Sequence, residues 1–329
     1  MKRRTFNILV SGALSAWPLT GLAQGSGRVR RVAVLMGLAE NDPEGGERYA
    51  AFREQLQQLG WSEGRNLALT ARWAGGDTAR TQSFAAELVK LQPEVIVVNT
   101  PPGLAALQVA TRSIPVVFVQ VLDAREAGIS SPARPGGNVT GFYAVFEYTI
   151  AGKWLQLLKE VAPALKRVAV MQHPQHPAWN NYIDAIKNVA PTLGIEVIPI
   201  GVEEPADIQR AIEKLAREPG SGLLVPPDSF TATHRRLLAD AAQSHRLPSI
   251  GHFAAFTASG GLLSYGADLK SLMRQSATYV DRILRGANPA DLPVQASTKF
   301  EFTINLQTAK AIGLTIPQAM LLRADKVIR

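Results

Sequence analysis

The chain has 329 residues, 46% of them hydrophobic and 19% charged, with a net charge of +8 and no cysteine. That apolar share excludes wholesale disorder. The lack of cysteine excludes disulfides, thiol nucleophiles, Cys-ligated zinc, iron–sulfur clusters and attachment through a lipidated cysteine. At roughly 100–200 residues per domain, the length favours two domains.

Residues 1–23 read as a cleaved export signal. Lys2, Arg3 and Arg4 precede an uncharged, largely apolar run from Ile8 to Leu22, and Gly21-Leu22-Ala23 supplies small residues at the cleavage positions. An uncleaved anchor is the alternative, but the run is shorter than the ~20 residues a spanning helix needs and contains Pro18. Arg3-Arg4-Thr5-Phe6 also fits the twin-arginine pattern, so the route stays open between that and the general secretory one. Losing these three cations takes the net charge from +8 to +5. The remaining basic residues are scattered, which argues against a nucleic-acid partner. No later segment holds 18 uninterrupted apolar residues. The expectation is a soluble periplasmic protein.

Short β-branched runs alternate with helical patterns, the signature of parallel α/β architecture. Strands are expected at 31–36, 67–73, 95–98 and 116–119, with helices at 49–59, 84–91 and 101–113 between them. The rhythm then restarts, because Arg167-Val-Ala-Val-Met171 echoes Arg31-Val-Ala-Val-Leu35. Further strands are expected at 196–200, 222–225 and 248–250, and helices at 179–193, 207–216 and 233–244. Two runs of one wind point to two similar Rossmann-like lobes joined by a hinge; a single doubly wound domain is the alternative. Pro- and Gly-rich 130–141 reads as the first crossing between lobes, and Gly260-Gly261 with Gly266 as another hinge region.

Enzyme signatures are missing. Ser264 follows Leu262-Leu263, not a G-x-S-x-G elbow, Gly152-Lys153 lacks the upstream glycine of a phosphate loop, and no G-x-G-x-x-G follows the first strand. His173 and His176 could ligate a metal together, but without a carboxylate-rich neighbourhood they read as loop-lining imidazoles. Asn138-Val139-Thr140 is formally a glycosylation sequon and reads as turn chemistry. Ligands of open α/β sheets sit at the C-terminal strand ends. Here those loops carry hydrogen-bonding and aromatic residues without a nucleophile–base pair, which suits recognition better than turnover.

Several blocks are more specific: Arg134-Pro-Gly-Gly-Asn-Val-Thr-Gly141, Gly260-Gly-Leu-Leu-Ser-Tyr-Gly266, Tyr279-Val-Asp-Arg-Ile-Leu-Arg-Gly286 and Ala290-Asp-Leu-Pro-Val294. The last continues through Thr298-Lys-Phe-Glu301, Ile304-Asn305 and Thr308-Ala-Lys310 to Gly313-Leu-Thr-Ile-Pro317. With these the chain resembles, essentially from end to end, the ABC-transporter substrate-binding proteins of the tryptophan/tyrosine-binding type. The resemblance implies the type I periplasmic-binding-protein fold, with a first lobe over 28–142 and about 267–297 and a second over 143–266 and about 298–329. It also implies a monomer that closes over a small solute, such as an amino acid or related carboxylate, and docks on an inner-membrane ABC permease. No catalysis, cofactor or metal is implied. The Arg-Glu pair that many relatives carry is here Ala254-Ala255, and their usual Asn is here His173, so ligand identity does not transfer with the fold.

In the first lobe, Asn99-Thr100 and Gly103 combine free N–H groups, a hydroxyl and a helix N-terminus that would favour a carboxylate, although Thr100 could simply cap the helix. Gln120 and Asp123 follow the fourth strand; Asp123 could hold an ammonium group or fix the turn. Asn41, with Glu40 and Asp42, offers one contact or mere loop polarity. Across the cleft His173, Asp228, Phe230 and His252 follow strands. Asp228 is the preferred partner for a ligand amine. Phe230 or Tyr143 could stack on a planar group or belong to the core. The competing readings are a ligand sensor feeding a signalling protein and, last, an exported enzyme using Asp123, Asp228 and the histidines.

Overall fold

The computed structural model describes residues 28–121, 127–129, 131–144, 148, 150–176 and 179–329. The expected signal segment and Asp123 lie outside the described residues. The chain forms two α/β lobes, each built on a largely parallel sheet.

The first lobe begins with β1 (Arg30–Met36), α1 (Pro43–Gln58), β2 (Leu67–Trp73), α2 (Thr78–Lys90), β3 (Val95–Val98), α3 (Pro101–Ala110), β4 (Val116–Val121) and β5 (Val139–Tyr143). In β1 strand alternation divides the apolar side chains between two cores. Val32, Val34 and Met36 face one core, Ala33 and Leu35 the other. β3 repeats the division, with Val95 and Val97 opposite Ile96 and Val98. Both faces must therefore be covered, and the intervening helices cover them.

The second lobe follows with α4 (Ile150–Val161), β6 (Arg167–Gln172), α5 (Trp179–Val189), β7 (Glu196–Gly201), α6 (Pro205–Ala216), β8 (Ser221–Val225), α7 (Ser229–Thr233), α8 (Arg235–Ser244), β9 (Ser249–Gly251), α9 (Ala254–Ala258) and β10 (Leu263–Ala267). β6 reproduces the β1 pattern: Val168 and Val170 lie in one core, Ala169 and Met171 in the other. The chain then returns to the first lobe with α10 (Leu269–Leu284), packed on α1 and β4, and β11 (Gln295–Ala296), paired with β5. It finishes in the second lobe with β12 (Phe300–Asn305), α11 (Leu306–Ala311), α12 (Gln318–Arg323) and β13 (Lys326–Ile328). The strand orders are β11-β5-β4-β3-β1-β2 and β13-β12-β10-β9-β8-β6-β7, with β10–β12 antiparallel.

The chain thus passes between sheets three times, after Tyr143, at Ala267–Asp268 and between Ala296 and Phe300. The passages are tied together: Ser297 N–H donates to Tyr143 O at 3.0 Å and Asp268 N–H to Lys299 O at 3.0 Å. Lys299 Nζ adds an ion pair to Asp268 at 2.7 Å.

Several expected boundaries shift for local reasons. The 130–141 stretch does not cross, since it runs into β5 of the first sheet. Its Pro and Gly residues build turns, and Asn138 Nδ2 anchors one of them to Ile114 O at 2.7 Å. α1 starts six residues earlier than its apolar spacing suggests, because Asp42 caps it and Pro43 opens it. The helix expected over 179–193 tightens into a 3-10 turn at 190–193, around Pro191. That over 233–244 is instead two helices meeting at His234. Among the described residues no helix is long and apolar enough to cross a membrane.

Candidate functional site

The C-terminal ends of β1, β3 and β4 carry the first wall of the site. Asn99, directly after β3, is 1% exposed. Its Oδ1 accepts from Gly37 N–H at 2.8 Å, while its buried Nδ2 has no partner. A buried donor left unpaired costs about 1–3 kcal/mol, so it is a natural place for a ligand acceptor. Thr100 caps α3, its Oγ1 accepting from Gly103 N–H at 3.3 Å. Gly37 is needed beside it, because a Cβ there would lie 2.1 Å from Thr100 Cγ2.

Gln120 adopts a left-handed φ of 67° and shifts the β4–β5 register between Val119 and Val121. In consequence Val119 and Val121 enter opposite cores, which a regular strand would not allow. The side chain of Gln120 accepts from Arg48 Nη1 at 3.0 Å. Arg48, 4% exposed on α1, also pairs with Glu44 and stands 5.8 Å from the Phe253 ring of the second lobe. Asn41 and Glu40 are exposed, just before the cap Asp42.

The second wall comes from β6, β8 and β9. Asp228 is buried and caps α7, its Oδ1 accepting from Thr231 N–H at 2.8 Å. His173, Phe230 and His234 form a row of rings, with centroids 6.0 and 4.3 Å apart. His252 is buried, its Nδ1–H donating to Val225 O at 3.2 Å and its ring against Phe253 at 3.8 Å. Gln172 ends β6 fully buried. Its Nε2 donates to Pro227 O at 3.0 Å and its Oε1 has no partner. Tyr143 belongs to the first-lobe core, its ring 5.6 Å from that of Phe118.

Burial disfavours the charged form of two imidazoles here, His176 and His252. His176 falls below the usual range mainly through burial, which the Asp228 carboxylate opposes and His173 reinforces. His252 is pushed down to about 3, again chiefly by burial, with Arg48 and His176 adding to the fall and the Val225 carbonyl opposing it. Arg48 therefore acts on His252 from the other lobe, which brings the two walls into one electrostatic environment. Among the described residues no group of three or more His, Asp or Glu side chains could hold a metal ion.

Sequence reasoning did not single out Arg48 or Gln172. Arg48 left a legible signal, since the buried stripe of α1 runs Gly45, Arg48, Phe52, Leu56 and places a cation among core positions.

Two lobes, three interlobe passages and opposed strand ends lined with hydrogen-bonding groups define a periplasmic-binding-protein architecture of type I. The chain matches the ABC transporter substrate binding protein family over residues 32–328, and it belongs to that family. It is 25% identical over 325 residues to the tyrosine-binding protein of Clostridioides difficile, covering 95% of this chain and 93% of that one. A conserved domain protein from Vibrio cholerae superposes with TM-score 0.82 at 28% identity, over 91% of this chain and all of the other. The pneumococcal ABC domain solved with L-Trp gives TM-score 0.81 at 24% identity, over 91% and 99%.

Proposed function

We propose that this protein is the extracytoplasmic receptor of an ABC importer. It captures a small polar solute, an amino acid or related carboxylate, between its lobes and presents the closed form to an inner-membrane permease. The observation that supports this reading is the pair of opposed walls with polar atoms buried and unpartnered on each, Asn99 Nδ2 in the first and Gln172 Oε1 in the second. In this reading Asn99, Thr100 and the N-terminal turn of α3 at Gly103 receive the carboxylate. Asp228 receives the ammonium group, with Gln120 and Asn41 at the rim and Asp123 as a further candidate contact. His173, Phe230 and His252 flank the rest of the solute, and their rings suit a planar or apolar group. The C. difficile relative carries tyrosine binding in its name and the pneumococcal one was solved with L-Trp, so aromatic amino acids come first among the solutes to try.

The lobes divide, in the same reading, at the three interlobe passages. The work done is a shift between open and closed forms in proportion to the solute's preference for the closed one. Thermal-shift screening of the chain from residue 24 onward against amino acids, small carboxylates, sugars and nucleosides tests the proposal. A true solute at about 100 times its Kd stabilises by about 2.7 kcal/mol. If every class leaves well-folded protein unmoved, the reading fails.

A further inference from the structure

We propose that the ion pair between Asp42 and Arg235 is a latch that holds the two lobes together by contacts separate from the solute. Asp42 belongs to the first lobe and Arg235 to the second, and Arg235 Nη2 donates to Asp42 Oδ2 at 2.5 Å. The carboxylate divides its work between its two oxygens. Oδ1 caps α1 by accepting from Glu44 and Gly45 N–H, and Oδ2 is left for the other lobe. The guanidinium is fixed from behind by Nη1 donating to Ala232 O at 2.9 Å. The two side chains are only 12% and 19% exposed, so water screens the pair far less than an ordinary surface ion pair. The lobes also touch alongside it. A Cβ on Gly76 would lie 2.7 Å from Thr233 Oγ1, and Gly76 has a φ of 77°, so a side chain there would be strained and would wedge this edge apart.

On α1 Glu44 and Arg48 pair with each other, and neither Asp228 nor His252 bonds to the Asp42–Arg235 pair. The latch would therefore add a fixed term to closure, whatever solute is bound. It would set how long a captured solute stays, leaving selectivity to the strand-end residues. Its purpose rests on the receptor reading, but its existence does not.

The test uses interlobe distances in the absence of any solute. The chain has no cysteine, so spin labels attach only where cysteines are introduced, at Gln82→Cys on α2 and Asp240→Cys on α8, both exposed. The doubly labelled parent shows a short-distance and a long-distance population. Arg235→Met lowers the closed-to-open ratio about tenfold, the scale of one charge-assisted hydrogen bond. Arg235→Lys restores most of it. Asp42→Asn, which keeps the helix cap, gives a similar loss, and the Arg235→Met/Asp42→Asn double variant loses no more than either alone. Salt at about 1 M, where the screening length shrinks to ~3 Å, depletes the closed population of the parent and not that of Arg235→Met. A parent lacking the short-distance population, an unchanged distribution in Arg235→Met, or losses that simply add would overturn the latch. Failure of the receptor reading would appear instead in the solute screen.

Discussion

Replacing His252 by Asn should remove a large part of this protein's acid sensitivity. The imidazole is 6% exposed, donates to Val225 O and has a pKa of about 3 in the folded protein. In the unfolded chain an ordinary imidazole titrates near ~6.5. Because the folded value is the lower one, the unfolded state binds more protons between the two. The stability tied to the neutral ring is fully present above about pH 6.5 and is lost as the pH falls toward the folded value. Each step of one pH between the two values removes about 1.4 kcal/mol, so the loss by pH 4 comes to roughly 3 kcal/mol. That is a large share of the ~5–15 kcal/mol that folds a typical domain. Urea unfolding of the parent and of His252→Asn at pH 7, 6, 5 and 4 measures it. Carboxylates held below their usual range also weaken both proteins in acid. Asp268 is one: burial would raise it, but Lys299 and the Ser271 N–H outweigh that. Such groups cancel in the difference, so the gap between the two stability curves should close by roughly 3 kcal/mol from pH 7 to pH 4. Parallel curves would mean that the folded protein accepts a proton on His252 without penalty, and the closed, water-poor wall described for the second lobe would be wrong.

Other consequences concern the site and the export signal. Asp228→Asn keeps the cap of α7 but removes the charge, so calorimetric affinity for an amine-bearing solute should drop about tenfold; an unchanged Kd takes Asp228 out of the site. Gly37→Ala pushes Thr100 and the start of α3, because the added Cβ meets Thr100 Cγ2 at 2.1 Å. Solute binding should weaken in a protein that still melts cooperatively, and full affinity would show that α3 does not receive the solute. Deleting residues 1–23 should strand the chain in the cytoplasm, which fractionation checks; continued export would refute the signal assignment.

The frame of this fold was legible because its strands are buried on both faces. Runs such as 95–98 and 167–171 leave little choice but a parallel sheet under helices, and the echo of 31–35 in 167–171 announces two lobes. Boundaries were less legible where a cap or a strained residue decides them. Asp42-Pro43 starts α1 outside its apolar stripe, and Gln120 extends β4 through a left-handed kink that no periodicity reveals. The crossing after Tyr143 was hidden because turn-forming Pro and Gly at 130–141 look the same whether a chain reverses or changes lobe. Among the candidate site residues, Asn99 and His252 directly follow strands and Asp228 comes three residues after β8, so position alone nominates them. Arg48 and Arg235 stand on helices, where position after a strand gives no signal, and Arg235 meets a partner 193 residues away. Tyr143 illustrates the converse: it stands at a strand end, yet its ring belongs to the core.

Small-angle scattering of the chain from residue 24 onward, with and without the solute that stabilises it most, tests the central claim directly. Capture between hinged lobes predicts a smaller radius of gyration at saturation, with one unaltered solute recovered per chain. An unchanged radius of gyration at saturation, or a solute recovered as product, would contradict it.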